Sequence, residues 1–462
     1  MQKVLFGGLT KAHEILFKGF FKHLGYVVES LPEPDNEALK IGKIYCNKGQ
    51  CNPVYYTAGN IIKYLFNLRN RGEKDIDKNY LFITASSYGP CRFGMYETEY
   101  RRALKEAGFG NLTIIALQQD EALLNNLKEK GFNLSRNEFF RLLKPLILAD
   151  LINNIFYKTK PYEIISASMD KWKEKSLHKL YQALKGGSSL VKPIRQLKKD
   201  LDHIELDYFR TKPKVKITGE FFSQIQEGEA NYRLLGWLVE EGAEPVVEPI
   251  TTWLDYLIRG KIHFTRERAF RSRANAGKII LTISILKLYI HTVYRLYRFL
   301  FGNKPDLLTS QKKLAEYAKN YYSPKLMGGE GHLEVGEHIY NIKHKKAHMV
   351  ISVKPFGCMS STQSDGVQTK VAYDLKESLF VSVDTSGDAE VNFKSRVLMK
   401  LHEARIKAAM EYETVKKRLH LHIDNNDIER LKAKKSDIKK ASLVLPQQGT
   451  STAVNALYFI SS

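Results

Sequence analysis

The feature that most constrains the fold is an alternation of short apolar runs with helical stretches through the first third of the chain. "KVLFGG" leads into the helical "KAHEILFKGFFKHLG", and "YVVESL" follows. "CNPVYYTAGNIIKYLFNLRNRG" is helical after its proline, and "YLFITAS" is an unbroken strand-like run. "MYETEYRRALKEAG" is a helix closed by Gly108 before the strand "NLTIIALQ". Unbroken apolar runs suit strands buried on both faces, and strands that alternate with helices pair in parallel through crossover connections. The expected class is α/β: two parallel-sheet domains of the flavodoxin or Rossmann kind, with a helical middle region and a basic helical insert.

The same pattern divides the chain. Residues 1–120 read as a first α/β domain carrying Cys46, Cys51 and Cys91. Residues 121–212 are mainly helical ("EALLNNLKEKG", "RNEFFRLLKPLILADLINNIFY", "DKWKEKSLHKLYQALK"). A second α/β domain, 213–410, opens at "KPKVKITGEFF" and resumes at "AHMVISVKPFGC" and "SLFVSVDTSG", which brings in Cys358. Residues 411–462 read as a charged helix and an irregular tail. With 462 residues and 43 % hydrophobic content, the chain can build several cores.

Charge is uneven. The formal net charge is +22, and the insert 259–304 holds eleven Lys/Arg against the single acid Glu267. Such a surface suits nucleic acid, an acidic membrane surface, an acidic protein or an anionic cofactor. Aromatics such as Tyr289, Tyr294 and Tyr297 interleave with the bases, as on a nucleic-acid surface, but also as on an amphipathic helix with snorkelling cations. No helix-turn-helix, zinc-finger or RNP pattern accompanies them, so nucleic acid is disfavoured. The window "IILTISILKLYIHTVYRLYRFLF" is interrupted by Lys287, His291, Arg295 and Arg298 and reads as an amphipathic helix, not a membrane span. No signal-peptide pattern opens the chain, and four cysteines in so long a sequence do not form a disulfide scaffold; a reducing cytoplasm is expected.

The cysteines are Cys46, Cys51, Cys91 and Cys358, with no CxxC among them. Zinc-ribbon and thioredoxin readings therefore lack support. Cys51 precedes Asn52-Pro53 and a helix, Cys91 lies between "YLFITA" and a helix, and Cys358 ends "MVISVKPFG". Two of these three sit where a strand hands over, at the carboxyl edge where open α/β sheets place their sites. A helix N-terminus lowers a thiol's pKa, and thiolates bind soft metals and iron–sulfur clusters. Against this stands the plain alternative that each is a small, buried, inert residue.

"GPCRFGMY" with "YRRALKEAG", "GQCNPVYYTAGNIIKYL" and "VKPFGCM" together resemble the 2-hydroxyacyl-CoA dehydratase superfamily, and are most similar to its activase-related branch. "KVKITGEFFSQIQEGEANYRLLGWLVEEGAEPVVEPITTWLDYL" resembles that family's second α/β domain. The resemblance runs with gaps to about residue 405 and is weakest over the helical middle, the insert and the tail. It implies that Cys51, Cys91 and Cys358 hold a 4Fe–4S cluster, with Cys46 either a fourth ligand or a bystander. It also implies an ATP-hydrolysing activator protein as partner, because the chain has no phosphate-binding GxxxxGK[ST] loop of its own. The implied chemistry is low-potential one-electron reduction, with an acyl-CoA losing water through a ketyl radical, in an anaerobic, oligomeric setting. Two rivals stand beside it: a non-catalytic electron-transfer or scaffold component, and a basic protein that binds nucleic acid or another anion.

Several neighbours are candidates to donate to cluster sulfurs: Arg92, the backbone near Gly89 and Gly94, and Ser86, Ser87, Ser360 and Ser361. The serines and glycines equally suit plain turns. Glu220 in "ITGEFF" and Asn231 resemble family positions, though capping explains them as well. "LMGGEGHLEVGEH" gathers Glu330, His332, Glu334, Glu337 and His338; without HExxH it is expected to be a solvated Gly-rich loop or a loop capping the site.

Overall fold

The computed structural model describes residues 2–87, 91–117, 134–268, 273–326, 328–419 and 435–462. Gly89, the stretch "EALLNNLKEKG" and part of the C-terminal region lie outside them. The α/β expectation holds, with two four-stranded parallel sheets.

The first sheet comprises β1 (Lys3–Phe6), β2 (Val28–Ser30), β3 (Tyr80–Ala85) and β4 (Thr113–Leu117), in the order β2-β1-β3-β4. Its register pairs Val4 with both Val28 and Leu81, and Phe82 with Ile114. The second comprises β5 (Lys214–Gly219), β6 (Glu244–Val247), β7 (Met349–Pro355) and β8 (Leu379–Thr385), in the equivalent order β6-β5-β7-β8. All six residues of β5 are buried, including Lys216, whose ammonium lies between Glu248 (2.8 Å) and Glu337 (3.1 Å). A charge inside a sheet is tolerated only when paired in this way.

A separate core is helical. Leu148, Ile152 and Ile155 of the Arg136–Thr159 helix pack with Leu180, Leu197, Ile290, Tyr294 and Leu457. The first of these helices starts at a capping box, with Ser135 and Glu138 each bonded to the other's backbone.

The carboxyl edges of the two sheets face each other and are bonded across the gap. Asn52 donates its backbone N–H to Phe356 O (3.1 Å) and its side-chain Nδ2 to Thr385 O (2.7 Å). Gln226 Nε2 donates to Gly8 O (3.2 Å), and the Lys11 and Asn36 amides donate to Glu227 and Glu229. In each sheet the strand order reverses beside the first strand, and open α/β sheets bind ligands outside the carboxyl ends at such a reversal. The architecture thus brings the two binding edges together.

Candidate functional site

Three of the four cysteines occupy equivalent local positions. Each is the N-cap of a helical segment: Cys51 of Asn52–Asn70, Cys91 of the 3-10 turn Arg92–Met95, and Cys358 of Met359–Asp374. None of the three has a side-chain cap bond to its own helix. Arg92 fastens their loops together, its Nη1 donating to Gly49 O (2.8 Å) and Gly357 O (3.2 Å). Gly357 takes φ +79°, and a Cβ there would lie 3.5 Å from Cys51 Cα and 3.3 Å from Gln50 O. Two chain turns far apart in sequence are therefore in direct contact.

Two carboxyls, the buried Glu330 and the half-buried Glu220, complete the neighbourhood. Glu220, at the end of β5, receives the Ser223 amide (2.9 Å), so its capping role is real. Glu330 Oε1 receives the Phe221 amide (3.2 Å). Burial, and then the charge of Glu220, pushes the Glu330 pKa up to about 8, and Glu220 is raised by burial as well. Burial of Glu330 and its like-charged neighbour disfavour double ionisation, so the pair favours holding a proton at neutral pH.

The thiols themselves depart from expectation. Burial, and then Glu330, pushes Cys91 up to about 11; burial and Glu220 likewise raise Cys358, and burial raises Cys51. Desolvation of the thiolate outweighs the helix-terminus field that was expected to lower these values. Cys51 Sγ lies 2.9 Å from the Tyr96 hydroxyl, a partner with no local sequence signal. Without a bound cation, all three are inert thiols at neutral pH. Cys46 has other company: it ends the Asn36–Tyr45 helix, and burial followed by Glu99 raises it to about 12. It does not share the Glu220–Glu330 pair.

The acid- and histidine-bearing part of "LMGGEGHLEVGEH" is not a solvated loop. His332–Lys343 is a helix, and Glu330, His332, Glu334, Glu337 and His338 are all buried. Hydroxyls and amides replace water around it. Glu334 receives Ser361 (3.1 Å), Ser364 (2.8 Å) and Gln368 (3.2 Å), and Glu337 pairs with Lys216. Burial holds His332 and His338 down at about 4, so both are neutral. Ser361 thus serves Glu334 as well as lying beside Cys358, while the buried Ser360 Oγ has no hydrogen-bond partner. Gly329 (φ +65°) packs directly on Ser360. Ser86 is buried at the end of β3, and Gly94 leaves no room for a side chain, since a Cβ would lie 2.6 Å from Ser87 O. Asn231 is structural, its amide donating to Ser223 O (2.9 Å) and Gln226 O (2.6 Å).

Beside the cysteine loops opens a cavity of about 520 Å³, lined by Gln50, Asn52 and Tyr55 near the first sheet and by Phe356, Asp384 and Arg396 near the second. Among the described residues, no group of three or more His, Cys, Asp or Glu side chains is placed to hold a metal ion. No family model matches the chain, and no curated protein is similar to it.

Proposed function

We propose that Cys51, Cys91 and Cys358 hold a 4Fe–4S cluster, and that the protein works as a low-potential electron-transfer enzyme akin to the 2-hydroxyacyl-CoA dehydratases it resembles. The observation that carries this reading is the Arg92 tie, which draws the loops of Cys51, Cys91 and Cys358 to one point where two sheet edges meet. The donor set suits such a group. Three thiols on separate loops, all at helix N-caps without side-chain cap bonds, suit a cubane, which spaces its thiolates farther apart than a single ion does. The unpartnered Ser360 hydroxyl is a ready donor to sulfur. When bound, the cluster supplies an electron at low potential and, with three protein thiolates, one iron open to a substrate oxygen.

The chain's own residues do the rest. Arg92 keeps the cysteine loops in register. Glu220 and Glu330 share a proton close to the site, positioned for transfer to or from a hydroxyl leaving group. The cavity beside Gln50 and Phe356 gives a small molecule access, which favours turnover over passive electron carriage. The equivalent strand orders fit two flavodoxin-like halves, and ATP hydrolysis is assigned to a separate activator protein. On this reading Cys46 is a bystander, because its charged neighbours are Glu99, Arg102 and Glu106.

An EPR-monitored redox titration of protein prepared without oxygen tests the reading. A single one-electron transition at low potential is expected, and its position should move when Ser360 is replaced by Ala. An EPR-silent protein through the whole titration would remove the redox assignment.

A further inference from the structure

The helix Arg273–Leu300 is long and apolar enough by length and composition to cross a membrane, yet it lies along the protein with one face packed and one bare. Its packed face is Ile290, Val293, Tyr294 and Tyr297, which join the helical core, with Tyr289 against Phe140 at 5.1 Å. The opposite face carries Leu281, Ile285, Leu288, Leu296 and Phe299, which are 63, 52, 68, 48 and 65 % exposed. Their spacings of four, three, eight and three residues keep them on one helical face, with the exposed Thr292 filling the longest gap, so they form one stripe. From 281 to 299 it runs about 27 Å along the helix.

Not every cation of this segment is free. Lys287 is paired with Asp255 (3.0 Å), and Arg298 donates to Pro305 O and Asn303. Lys304 is buried against Tyr208 and Leu443 O and is pushed well below its ordinary pKa by burial. Arg266, Lys278 and Arg295 remain exposed with no ion-pair partner among the described residues, and Arg268 is exposed over the Phe264 ring (3.9 Å). The nearby acid Glu267 is already engaged by His263 and Lys325.

We infer that this face docks on an anionic membrane surface, the helix lying flat with its stripe in the acyl–headgroup boundary and its free cations on lipid phosphates. Charge selects this occupant. A second copy of the chain would bring two uncompensated cationic faces together. A nucleic acid would stack on aromatic faces, whereas four of the five stripe residues are aliphatic. A convex, straight row of flexible side chains offers no pocket to fix a protein partner, but it suits a fluid hydrocarbon interface bordered by anions.

Co-sedimentation of the full-length protein with vesicles of phosphatidylcholine, with and without phosphatidylserine, tests this. The protein should pellet with the anionic vesicles at least about tenfold more strongly than with the neutral ones, and salt should weaken binding. Both L281S/L288S/F299S and R266E/K278E should lose that binding by a similar factor while their unfolding midpoints stay unchanged, because every altered side chain is exposed. Three results would overturn the inference. The protein could stay in solution with anionic vesicles. Light scattering could show a dimer that the serine variant dissociates. Or a single-stranded RNA probe could bind the protein and be lost only in the charge variant.

Discussion

Arg92 joins what the sequence keeps apart. Its guanidinium meets Gly49 O and Gly357 O, carbonyls of two loops that each adjoin a cysteine. Arg92→Ala should cost no more than about 0.5–1.5 kcal/mol, since both carbonyls lie at exposed positions where water can replace the lost donor. In metal-free protein the same change should speed alkylation of Cys51 and Cys358 severalfold, read by mass spectrometry. Unchanged labelling would mean the loops hold themselves together. Arg92 was recognisable from sequence as a neighbour of Cys91, but its reach to Gly357 was not, because 265 residues separate the two. The thiol pKa values were misjudged for a related reason. A helix N-terminus is visible in sequence, whereas the burial that outweighs it is a property of the assembled fold.

At the scale of elements, the Asn36–Tyr45 and Asn52–Asn70 helices cross with Gly42 and Gly59 at the contact. A Cβ on Gly42 would lie 1.9 Å from Tyr55 O, and one on Gly59 would lie 1.8 Å from Ala38 O. This crossing fixes the N-terminus of the helix that Cys51 caps. Gly42→Ala or Gly59→Ala should therefore cost about 2 kcal/mol or more, because overpacked backbones must part. Equilibrium denaturation measures it, and wild-type stability in both variants would refute the close crossing. A second element-scale prediction concerns the Glu390–Arg418 helix. Its Glu411 receives the Thr450 amide (2.7 Å), the Ser451 amide (3.0 Å) and His348 (3.2 Å), which hold its pKa down at about 2. A depressed carboxylate stabilises the fold above its ordinary pKa and loses that contribution as pH falls toward the folded value. Glu411→Gln should lose about 2–3 kcal/mol at neutral pH, and the gap to wild type should close as pH falls from about 4.5 to 2. A gap of constant size across that range would contradict the assignment. Strands were legible in sequence because parallel sheets bury unbroken apolar runs. The His332–Lys343 helix was not, because its glycines and acids look solvated until Ser361, Ser364, Gln368 and Lys216 are seen around them.

The whole molecule is closed by its C-terminal segment. The Thr452–Ser461 helix, read from sequence as part of an irregular tail, buries Val454, Leu457 and Ile460 in the central helical core. Thr452 Oγ1 also donates to Glu244, the first residue of β6 (2.6 Å). Each buried aliphatic contributes about 1.5–3 kcal/mol, so deletion of residues 452–462 should remove a large part of a stability of about 5–15 kcal/mol. The truncated chain is expected to lose its cooperative thermal transition; a normal transition would show the segment to be dispensable. What that closure protects is the meeting of two sheet edges around three cysteines, and there the central claim is most directly tested. Iron and acid-labile sulfide should be counted in full-length protein purified without oxygen, and in Cys46→Ala, Cys51→Ala, Cys91→Ala and Cys358→Ala. About four irons and four sulfides per chain are expected in wild type and Cys46→Ala, with loss in each of the other three. Wild-type protein free of iron and sulfide, or full content retained without Cys51, Cys91 or Cys358, would contradict the cluster assignment.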